Sequence, residues 1–134
     1  MSAWGDIIDK IFTHIRTAEP DITAANQERE IRLGVELTTE EFPHVFAHSI
    51  AEARNEEEWQ QDIVAVDIIF DVWTDHESQE EVSVRLDNIL AQLKTDRTLA
   101  DTVDKLRVIE RSISEFPGKT QRVGRLIVEI EETL

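Results

Sequence analysis

Three features of this 134-residue sequence predict an α+β fold, with two main helices packed on one face of a mainly antiparallel or mixed sheet of about four strands. An apolar stripe at helical spacing opens the chain and a long alternating strand occupies its middle. A capped helix and then two strands about a short turn close it. One domain over residues 1–134 is expected, because that length suits a single core of ordinary size.

The opening helix rests on Trp4, Ile7, Ile8, Ile11, Phe12 and Ile15, which recur at i, i+3, i+4 and i+7 and so line one face. Pro20 stops it. After a polar stretch from Asp21 to Glu28, Ile31, Leu33, Val35 and Leu37 alternate as a strand would, although Gly34 weakens the pattern. Phe42 to Phe46 is a further extended candidate, with Pro43 at a strand start or sheet edge, and the acidic run Glu52 to Glu58 reads as an exposed loop. From Ile63 to Trp73 the chain reads as a long two-faced strand. Val64, Val66, Ile68, Phe70 and Val72 make one apolar face, while Asp67 and Asp71 fall on the other among apolar neighbours. Such a strand suits a sheet covered by helices on one side and by a partner on the other.

Ser78-Gln79-Glu80-Glu81 matches a capping box. Val82, Leu86, Ile89, Leu90 and Leu93 then form the buried stripe of the second helix, and a short helical turn is expected between Asp96 and Val103. Leu106 to Ile113 and Val123 to Glu131 read as strands about the turn Phe116-Pro117-Gly118-Lys119, which makes an antiparallel hairpin. In the last strand Leu126, Val128 and Ile130 face one way and Arg125, Glu129 and Glu131 the other.

Composition narrows the function. With no cysteine, disulfides, thiolate catalysis and cysteine zinc sites are excluded. No apolar run approaches the roughly 20 residues of a membrane span, and no secretory signal opens the chain, so a soluble intracellular product is expected. Twenty-nine acids against 14 bases give a net charge of −15, which disfavours ordinary binding to nucleic acid. A solubilising surface, adaptation to high salt (only four bases are lysines), or a surface that DNA passes without sticking would each explain it.

No catalytic constellation emerges, and neither a cofactor nor a metal is expected. His44 and His48 have the i, i+4 spacing of helical metal ligands, but Pro43 and the extended reading put them about 13 Å apart. Asp67 and Asp71 are separated by a similar distance, wider than the roughly 5–9.5 Å used by paired glycosidase carboxylates. No serine sits in a nucleophile elbow, and the four glycines build no phosphate loop. Arg107, Arg111, Lys119, Arg122 and Arg125 gather on the C-terminal hairpin. They either balance charge across paired strands or form a docking surface for an acidic neighbour such as another copy of the chain. Together with Asp67, Asp71 and the strand-end Trp73, they are the candidate interface residues.

The order of these elements resembles the tail terminator, or tail-completion, family of long-tailed phages, the lambda-type proteins among them. The resemblance rests on the alternating strand Ile63 to Trp73, the helix ending Leu90-Ala91-Gln92-Leu93, and the segment Asp96-Arg97-Thr98-Leu99-Ala100-Asp101-Thr102-Val103. The opening helix and the closing strands fit as well. Ile22 to Glu58 matches poorly, and Ala100 stands where the family usually has glycine. The resemblance implies a non-enzymatic virion protein, made in the host cytoplasm and forming a homo-hexameric ring on the last ring of tail tube protein. The ring ends tube polymerisation, docks the head–tail connector or stopper protein, and lets genome DNA pass through its bore without specific binding. Two other readings compete: a head-completion or neck protein, and an acidic DNA-mimic inhibitor, which the scatter of the acids disfavours.

Overall fold

The computed structural model describes residues 4–29, 42–55, 63–75, 79–115 and 121–133. Two helices, α1 (Trp4–Ala18) and α2 (Gln79–Lys94), lie on one face of a five-stranded sheet. Its strands are β1 (Gln27–Glu28), β2 (His44–Asn55), β3 (Ile63–Asp75), β4 (Lys105–Glu115) and β5 (Gln121–Thr133), in the order β1-β2-β3-β5-β4. Every pairing is antiparallel except the two-residue parallel contact of β1 with β2. The α+β class and the helices-on-one-face arrangement are as the sequence predicts, and the described residues form five strands where about four are expected.

The predicted apolar stripes make the core. Ile7, Ile11 and Ile15 of α1 and Leu86, Ile89 and Leu93 of α2 are fully buried against Ile68, Phe70 and Val72 of β3 and Leu126, Val128 and Ile130 of β5. Phe12 meets Phe70 edge-on, with ring centroids 6.0 Å apart, a geometry that aromatic quadrupoles favour. Helix α2 approaches the sheet closely at Gly124 on β5. A Cβ there would sit 2.8 Å from Leu86 Cδ1 and 2.9 Å from Val82 Cγ2, so the absence of a side chain lets α2 settle on the sheet.

Three expectations need correction or placing. The acidic run expected to loop from Glu52 is strand as far as Asn55, because Ala53, Arg54 and Asn55 pair with Val66, Ala65 and Val64. Backbone pairing to a long neighbour overrides the polar composition. The segment 96–103 is not a turn of right-handed helix. Leu99, Ala100 and Asp101 have φ of 48°, 55° and 62°. Asp96 Oδ1 accepts the Ala100 amide at 2.9 Å and Thr98 Oγ1 accepts the Asp101 amide at 3.3 Å, so side chains replace the helical acceptors. The strand expected over Ile31 to Leu37, Ser78 of the capping box and the turn 116–119 lie outside the described residues.

Candidate interaction surface

The face of the sheet turned away from the helices is set by strand parity. On β3, Ile68, Phe70 and Val72 point to the helices, so Ile69, Asp71 and Trp73 point the other way. Register places His44, Phe46 and His48 of β2 beside them on one side and Val123, Arg125 and Ile127 of β5 on the other. Asp71 is only 2% exposed at the centre of this face. Arg125, directly opposite it in the ladder, donates from Nε to Oδ1 at 2.7 Å and from a terminal nitrogen to Oδ2 at 3.0 Å. That fork is the strongest geometry available to a guanidinium and a carboxylate. Hydrogen bonding to Asp71 raises the Arg125 pKa further above its ordinary value. His48 Nε2 stands 3.2 Å from Asp71 Oδ2, within ion-pair reach.

A second pair lies further along. Glu129, 3% exposed, accepts from Arg107 Nε at 2.5 Å across the β4–β5 ladder. Beyond Asp71, buried His44 meets Glu28 of β1 at 2.6 Å and packs on Phe46 with ring centroids 4.6 Å apart. Phe46 in turn meets half-buried Trp73 edge-on at 6.0 Å. The two histidines of the i, i+4 pair therefore lie on an extended strand as expected, and each faces a carboxylate. Among the described residues, no three His, Asp or Glu side chains come together as a metal site.

The basic cluster of the hairpin is divided by the sheet. A bulge at Ile109, between the pairs Val108↔Val128 and Glu110↔Ile127, shifts the parity of β4. Arg107 thus falls on the helix-free face, whereas Arg111 falls on the helix side. There it donates to the Ser83 hydroxyl at 2.6 Å and meets Asp87 at 3.1 Å. Arg122 is also on the helix side by register, opposite Thr74. Asp71, Trp73, Arg107 and Arg125 therefore share one face. Asp67 stands four positions back on the same strand with its side chain outside the described ones, and Lys119 lies outside the described residues. Nothing in the sequence marks the bulge, but the pairing of Asp71 with Arg125 could have been found by aligning the apolar faces of β3 and β5.

No protein-family model and no curated protein matches this sequence. Among solved structures, a chain of the virion of a native gene transfer agent particle aligns over 92% of this chain and 92% of its own length. The TM-score is 0.59 and the identity 8%, so the likeness is one of fold.

Proposed function

We propose that this chain is a structural protein of a tailed-phage-like virion, where it forms a hexameric ring that caps the tail tube. In that role it ends polymerisation of the tube protein and joins the tail to the head connector, while genome DNA passes through the bore. The observation that carries this reading is the end-to-end fold likeness to a chain of a gene transfer agent virion. A small subunit matched over its whole length supports a shared assembly role better than a match to a fragment would. Charge supports it too. Each subunit contributes −15, and an acidic lumen repels the phosphates of passing DNA instead of retaining them.

The test is to add the purified chain to polymerising tail-tube protein and to measure tube length and end structure by electron microscopy. Capped tubes of limited length, each ending in a ring, are expected. A strictly monomeric chain that neither joins tubes nor limits their length would overturn the reading. Rings that bind the connector but ignore tubes would move the chain to the neck.

A further inference from the structure

Two surfaces of the chain, one reaching the β4 edge and one at the corner between the helices, are opposite in charge and alike in exposing an apolar side chain. The first is a groove of about 360 Å³ between the C-terminal half of α2 and β4. Leu90, Leu93 and Leu106 contribute apolar lining, with Lys94, Arg97, Arg107, Arg111 and Glu110 around it; Arg107 is paired with Glu129 and Arg111 with Asp87, so the positive character rests on Lys94 and Arg97. The second surface is the corner where the end of α1 meets the N-terminal half of α2. Glu19, Asp21, Glu80 and Glu81 are gathered there about one base, Arg85. Val84, 50% exposed, stands in the acidic corner, and Ile109, 45% exposed, stands at the basic groove; they are the two large exposed apolar side chains among the described residues.

We infer that the acidic α1–α2 corner of one copy docks in the basic α2–β4 groove of the next, a head-to-tail contact between identical chains. This deepens the ring reading above and rests on it. A corner of four acids about one base meeting a groove lined by Lys94 and Arg97 is the complementarity that steers and registers a contact. The pairing of Val84 with Ile109 gives it an apolar centre. Placement decides the symmetry. Val82, Leu86, Ile89 and Leu93 form the buried stripe of α2, with the corner on one flank of that stripe and the groove on the other. One neighbour cannot satisfy both at once, so each copy engages two neighbours through different surfaces. Such heterologous contacts close into rings when the rotation per copy allows. Strand addition along β4 is a poorer use of the same edge, because the bulge at Ile109 and its alternating charges blunt that strand.

The inference is tested with two full-length variants. A groove variant carries Lys94→Glu and Arg97→Glu, and a corner variant carries Glu80→Lys and Val84→Lys. All four positions are exposed, so circular dichroism should report native folds. Native mass spectrometry and sedimentation should show rings for the parent chain and self-association weakened about tenfold or more in each variant. An equimolar mixture should associate again, because the intact corner of one variant meets the intact groove of the other and the two reversed surfaces are again opposite in charge. A folded variant that assembles like its parent, or a mixture no more associated than its components, overturns this contact and leaves the ring reading standing. A parent chain that is monomeric at all concentrations overturns the ring reading itself, and the contact with it.

Discussion

Leu86 of α2 rests on Gly124 of β5 so closely that a methyl group at position 124 would lie 2.8 Å from Leu86 Cδ1. The contact fixes the height of α2 above the sheet. Leu86 is fully buried, and Val82 closes the same site at 2.9 Å. Gly124→Ala should therefore destabilise the fold by about 1–3 kcal/mol, the usual cost of overpacking a filled core. A lower urea midpoint at an unchanged slope is the expected readout. Gly124→Ala combined with Leu86→Ala should recover part of that loss relative to Leu86→Ala alone, because the new methyl then enters vacated space. A double variant showing only the sum of the two losses would contradict the contact.

Asp71 is buried on the helix-free face and held by the Arg125 fork. Removing Arg125 by substitution with Met takes away the guanidinium fork and leaves His48 Nε2, 3.2 Å away, beside the carboxylate. The expected loss is about 1–3 kcal/mol, the cost of leaving a buried charged group short of its partner. The lower part of that range is favoured because the Arg125 side chain is 44% exposed and water screens the pair. Asp71→Asn should cost less when made in the Arg125→Met background than in the parent. Equal costs in both backgrounds, measured by chemical unfolding, would show that the two residues are not coupled.

Much of this arrangement was legible in the sequence. The stripe Ile7, Ile11, Ile15, the two-faced β3 and the stripe Val82, Leu86, Ile89, Leu93 are each periodic over several turns or residue pairs, and they became α1, β3 and α2. What escaped depended on partners distant in sequence. The end of β2 is polar through Glu52 and Asn55 and is strand because β3 runs beside it. The division of the hairpin arginines arises from one extra residue, Ile109, that no local pattern announces. The left-handed turn at 99–101 is dictated by Asp96 and Thr98 capturing amides, a competition that apolar periodicity does not register.

Acid should weaken the fold through Asp21 and Asp96. Asp21 accepts two hydrogen bonds from Arg85, at 2.9 and 2.8 Å, and these hold its carboxyl below the ordinary 3.8. The Ala100 amide, followed by His14, does the same for Asp96. Because both groups are more acidic folded than unfolded, the unfolded chain binds more protons in this range. Their contribution is thus complete above about 3.8 and lost as pH falls through the lower folded values. Asp21→Asn and Asp96→Asn should each flatten the fall in urea midpoint below about pH 4 relative to the parent. Comparing variant with parent cancels the change in overall charge repulsion that both undergo. Slopes identical to the parent's would remove these two carboxylates from the account.

Ala100 is the last case, and the one where a glycine substitution should cost nothing. Its φ of 55° brings the Cβ toward the following carbonyl, at a cost of about 1–2 kcal/mol for a residue other than glycine. The turn persists because Asp96 takes the Ala100 amide and buried Leu99 anchors the segment in the core. Glycine has no such penalty but gives the unfolded chain more freedom, which offsets part of the gain. Ala100→Gly should accordingly leave stability unchanged or raise it by up to about 1 kcal/mol, the reverse of what glycine does inside a helix. Ala100→Val should cost more than the same change on an exposed strand, since a β-branched side chain tolerates this backbone least. If Ala100→Gly instead lowers the thermal midpoint by several degrees, residues 99–101 do not adopt the left-handed turn in solution.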